Sequence, residues 1–171
     1  MINRLWLGSC LIGRWLTLAL SAMWWGGFTF YSVVVVPTGH QVLHSRIKQG
    51  FITQEVTHWL NLLGSVIVIL LLVRFIRDRA HVPSLTHRYV IIISWGITAV
   101  TLVILIWMHP HLDSYLDQDS RSVIDDELFY RWHQWYLIVA SLQWLACTVH
   151  LTAILKCTKQ TRSMEWCKEI K

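Results

Sequence analysis

The sequence predicts an all-α integral membrane protein, a four-helix bundle in which neighbouring helices run antiparallel. Three observations predict it. Of its 171 residues 54% are hydrophobic and only 15% charged, with a mean hydropathy of +0.45, more apolar surface than a soluble domain of this length can cover. Four apolar segments, residues 15–36, 56–73, 89–108 and 132–155, each approach the roughly 20 residues that a helix needs to cross about 30 Å of hydrocarbon. No Asp, Glu, Lys or Arg lies in the central turns of those segments. With the N-terminus inside, the inner segments hold 11 of the 15 basic residues, which places both termini on the cytoplasmic side of an inner membrane.

The net charge of +5 does not point to nucleic acid, because the basic residues are spread between the apolar runs and form no single face. Lipid headgroups are the expected partner. β-Branched runs such as Val33 to Val36 read as strands in a soluble protein, but an open strand in lipid leaves its amides unpaired, so helices are expected.

The chain opens like a secretory signal, with Arg4 and Arg14 ahead of an apolar run and small residues at Ser21 and Ala22. That run continues through Val36, which fits an uncleaved first span. LGSC at residues 7–10 has the form of a lipoprotein cleavage box, but too little apolar sequence precedes it. The first outer loop, PTGHQVLHSRIKQGFITQ, carries Val42, Leu43 and Ile47 at helical spacing, which predicts a short amphipathic helix on the outer leaflet. Gly50 is its expected stop and Thr53 the cap of the second span.

The second span presents His58, Asn61, Ser65, Val68 and Leu72 on one seam, and Arg74 snorkels at its end. A short connection containing Pro83 makes the second and third spans antiparallel neighbours. The third span repeats the pattern with His87, Ile91, Ser94, Thr98, Thr101, Leu105 and Met108. An acidic outer loop follows, with Asp113, Asp117, Asp119, Asp125, Asp126 and Glu127. In the fourth span His133, Tyr136, Ala140, Gln143, Cys147 and His150 alternate by three and four residues, the seam of a left-handed helix pair. Most of these polar residues read as interhelical hydrogen bonding. Trp15, Trp59, Trp107, Trp132 and Trp135 form an interfacial belt, while Trp24, Trp25, Trp95 and Trp144 lie deeper, where they pack between helices or donate an indole hydrogen bond. No repeat or linker divides the chain, so residues 1–171 are read as one transmembrane domain.

The histidines carry the candidate chemistry. His40, His58, His109 and His133 come from four different helices to one outer level, with Asp113 beside them, a donor set that suits copper or zinc. The alternative is b-type haem for electron transfer, held by His87 with His150 at the inner face or His58 with His133 at the outer. A third reading is a structural or assembly subunit of a membrane complex. His133 and His150 stand about 25 Å apart along one helix, so they cannot share an ion. Cys10, Cys157 and Cys167 fall on the reducing side and match no zinc spacing, so free thiols are expected. No nucleophile elbow, phosphate loop or intramembrane carboxylate pair is present, so no catalytic residue is assigned.

SAMWWGGFTFYSVVVVPTG, with its Trp-x-Gly-Gly-x-x-Phe segment and terminal Pro, resembles the first span of a family of small bacterial four-helix membrane proteins of unknown function. THWLNLLG, HPHLD and FYRWHQWYL are similar to the polar landmarks of its later helices. The resemblance implies topology and no reaction. The chain also distantly resembles membrane proteins of copper resistance, but it has about half their helices and lacks a Met-rich copper motif.

Overall fold

A computed structural model describes residues 2–78, 84–117 and 122–169. Pro83, Asp119 and Ser120 lie outside the described residues, and so do the side chains of Cys10, Cys157 and Cys167. Five α-helices make up four long rods: α1 (Ile2–Phe30) with α2 (Val36–Leu43), then α3 (Arg46–Asp78), α4 (Leu85–Asp113) and α5 (Asp126–Glu169). Each rod contains a stretch long and apolar enough to cross a membrane, namely Trp15–Leu43, Lys48–Arg77, Leu85–Asp113 and Glu127–Lys156. They pack as an antiparallel bundle in which α4 and α5 share the largest contact and α1 closes the ring against α3 and α5.

The first rod does not end at Pro37. A π-helical turn, Tyr31–Val35, interrupts it, and the Val36 N–H bonds back to the Tyr31 carbonyl. Proline in an unbroken α-helix collides with the carbonyl four residues earlier; placed in the first turn of α2, just after the widened turn, Pro37 loses nothing. The rod therefore continues to Leu43 and stops at His44, whose φ of 47° is left-handed.

The first outer connection is consequently shorter than the sequence predicts. Val42 and Leu43 belong to the end of α2, and α3 runs unbroken through Gly50 and Thr53. Thr53 is no cap; its hydroxyl donates to the Gln49 carbonyl within the helix. Gly39 has a structural reason of its own: a Cβ there would overlap the Gln49 side-chain amide, which lies buried against it. In the second outer loop β1 (Leu116–Asp117) pairs antiparallel with β2 (Ser122–Val123). Asp125 Oδ1 accepts the Leu128 N–H at 3.0 Å and so caps the start of α5.

The bundle interior mixes apolar and hydrogen-bonding side chains, and the outside is apolar. Ser21, Thr98, Gln143 and His150 are 0–2% exposed, while Met23, Ile69 and Val103 exceed 60%. This follows from the solvent, since lipid is as apolar as leucine and only close packing and hydrogen bonds favour helix contact. Both predicted seams on α4 and α5 are buried as expected, except that His87 and His133 are only partly covered. On α3 the seam is partly rotated: Asn61 and Val68 are buried as expected and Gly64, Ile67 and Leu71 join them, while Ser65 and Leu72 are only partly covered and His58 is exposed. Gly64 decides that rotation, because it admits the Trp24 ring.

All four deep tryptophans donate between helices. Trp24 reaches the Leu60 carbonyl and Trp95 that of Val68, at 2.8 and 3.0 Å. Trp25 and Trp144 stack at 5.4 Å and donate crosswise to Thr148 and Thr29. Thr29→Val and Thr148→Val are each expected to cost about 0.6 kcal/mol, the usual worth of such bonds in membrane proteins. Unfolding by detergent titration measures it.

Candidate functional site: a pocket at one end of the bundle

The pocket lies at the end opposite the chain termini, between the first turns of α3, the last of α4 and the first of α5. It leaves about 50 Å³ for water-sized groups; Thr53, Thr57, His109, Asp113, His133 and Tyr136 reach it, and Leu112, Leu116 and Phe129 make its wall largely apolar. That is room for a few waters or one small ion.

His109 is the best-fixed group. Its Nδ1 lies 2.9 Å from Asp113 Oδ2, one helical turn on, and its Nε2 lies 3.1 Å from the Gln54 carbonyl and 3.3 Å from Thr57 Oγ1. A carboxylate and a carbonyl only accept, so the ring donates to both when both nitrogens carry hydrogen. Thr57 donates its own proton to the Thr53 and Gln54 carbonyls. The Tyr31 hydroxyl donates to Thr53 Oγ1 at 2.9 Å, and Asn61 Nδ2 donates to the Tyr136 hydroxyl at 3.2 Å. The π-helical turn thus places Tyr31 against the pocket wall.

His133 differs. Its ring stacks on Phe129 at 5.9 Å, lines the pocket and has no hydrogen-bond partner among the described residues. His40, at the exposed end of α2, is near enough to interact with it electrostatically. His58 stands edge-on to His109 at 5.9 Å, outside the pocket. His111 packs against Trp107 and Trp132 at 4.8 and 5.8 Å, an interfacial aromatic cluster.

The structure therefore brings His109, Asp113 and His133 to one pocket, leaves His58 behind His109, and keeps His40 at the exposed end of α2 outside the pocket lining. Among the described residues no three His, Cys, Asp or Glu side chains stand together as a ready-made metal site. At the other end His150 is buried and 3.0 Å from Ser94, while His87 lies two turns from Ser94 along α4, about 10 Å on the helix rise. Cys147 is a free, buried cysteine packed against Trp24, Ile67 and Leu71.

Sequence reasoning passed over Tyr31, Thr53 and Thr57 as site residues. Thr53 and Thr57 are one turn apart, a spacing that signals a shared face, but only the packing of α1 and α4 shows which groups that face meets.

Fold and pocket together define a multi-pass membrane protein, a four-helix bundle with a pocket at one end. No family model, curated relative or solved structure matches the chain.

Proposed function

We propose that this is a non-enzymatic protein of the bacterial cytoplasmic membrane, with both termini inside, that binds copper or zinc at the outer-end pocket, alone or as a subunit of a larger membrane complex. The observation that supports this most is His133, an unpartnered imidazole opening onto the pocket that Asp113 also lines. The ligands on this reading are His133, His40 and the Asp113 oxygen not engaged by His109. His109 then holds the carboxylate from behind, as outer-shell partners of metal ligands do. Binding requires side-chain rotation of His40 and His133 toward Asp113. Imidazole ligands must be neutral to bind metal, so affinity falls as the pH drops.

The test is metal content per molecule of full-length protein purified without a chelating tag. Wild type is expected to carry one ion, His133→Ala none, and His150→Ala the wild-type amount. Wild type without metal above background would refute this reading and leave the structural-subunit one. A red preparation with low-spin haem bands would favour haem.

Orientation has its own test. A cysteine at Ser114, exposed beyond the end of α4, is expected to react with an impermeant maleimide in intact cells, and one at Thr86, exposed at the other end, is not. The reverse labelling would invert the topology and put the pocket inside.

A further inference from the structure

Two buried polar groups in the other half of the bundle have no partner: the Nε2 atoms of Gln143 and His150, both in side chains 2% exposed. They lie on one stripe of α5, and His150 meets α4 through Ser94. Their chemistry is complementary. Ser94 Oγ lies 2.7 Å from the Val90 carbonyl and 3.2 Å from that of Ile91, so its hydrogen is committed. Ser94 can then only accept from His150, which places a hydrogen on His150 Nδ1. The neutral ring therefore carries its lone pair at Nε2, an acceptor without a donor. Gln143 Nε2 is the converse, a donor without an acceptor.

The two Nε2 atoms do not bond to each other, and seven residues, about 10 Å of helix rise, separate their backbones. One water bridging two groups spans about 5.6 Å, two hydrogen bonds of ordinary length. On α4, antiparallel and bonded through Ser94 at the level of His150, the same rise carries the chain from Ser94 past Thr98 to Thr101. Both threonines are buried, and their hydroxyls donate to carbonyls of their own helix, to Ser94 from Thr98 and to Ile97 and Thr98 from Thr101. Their oxygens keep free lone pairs and offer no proton to His150. The Ser94, Thr98 and Thr101 hydroxyl protons are thus spent, and a molecule bringing its own O–H can complete the set.

We propose that this α4–α5 seam binds water at two separate positions. One water donates to His150 Nε2 and to Thr98 Oγ1. The other accepts from Gln143 and donates to Thr101 Oγ1. Each has two protein partners, which an internal water needs. Above Gln143 the seam closes in an apolar layer of Leu105, Met108 and Ala140, so these waters are not continuous with the end pocket.

Solid-state NMR of the full-length, 15N-labelled protein in lipid bilayers tests this by transfer of magnetisation from water. The expected result is a neutral His150 protonated at Nδ1, with transfer from water to its Nε2 and to the Gln143 amide. Thr98→Val is expected to abolish transfer to His150 while sparing Gln143, and Gln143→Leu to leave the His150 signal. A ring protonated at Nε2 would overturn the proposal. So would absence of transfer in wild type, or loss of both signals in either variant. None of these outcomes bears on metal at the other end, so the two readings fail separately.

Discussion

Replacing Gly64 with leucine is expected to destabilise the bundle by roughly 3 kcal/mol. An added Cβ alone would sit 3.0 Å from Trp24 Cζ2, 3.2 Å from Cε2 and 3.3 Å from Leu102 Cδ1, so even alanine is tight. The ring cannot retreat freely, since Trp24 is 6% exposed and its indole is bonded to the Leu60 carbonyl at 2.8 Å. Overpacking a filled interior costs about 1–3 kcal/mol, and a lost interhelical hydrogen bond adds about 0.6. Gly26 and Gly27 form the internal control. A Cβ at either would meet nothing within 4 Å, and alanine there should be neutral or gain the ~1 kcal/mol of helix preference over glycine. Thermal unfolding of the three variants in one detergent decides the point; equal melting of Gly64→Leu and wild type would refute the packing account.

Asp113→Asn is expected to weaken metal binding by about 10- to 100-fold, the range for loss of a supporting or ligating group. Asparagine keeps the shape and removes the charge, so the ligand is lost while the fold persists. The ion pair with His109 is also lost, but Asp113 is 32% exposed and the effect on stability should stay under about 1 kcal/mol. His58→Ala is the contrast. Its ring touches His109 only edge-on and from outside the pocket, so affinity should hold. Metal titration followed calorimetrically separates them. Unchanged affinity in Asp113→Asn would remove the carboxylate from the ligand set.

Much of the site was visible as depth along the membrane and little as lateral position. His40, His58, His109, His133 and Asp113 do reach one end of the bundle, as their places at helix ends predict. Whether two of them touch depends on helix rotation, which spacing alone does not give. On α3 the inward line passes through Asn61 and Gly64, and this turns His58 outward. Tyr31 enters the pocket wall through a π-helical turn that residue-by-residue reading at 3.6 per turn misses.

By itself the sequence determined four membrane helices, their antiparallel order and the buried seams of α4 and α5. Those rest on hydrophobic length and on three-and-four spacing, which are properties of single helices in a fixed solvent. The tertiary structure alone decided that the first helix passes Pro37, that α3 begins at Arg46, and that His133 rather than His109 is the open imidazole. Each of these depends on a partner from another helix or a local change of winding. In lipid no hydrophobic force selects one helix face, so close packing at Gly64 and hydrogen bonds such as those of Trp24 and His109 set the rotation.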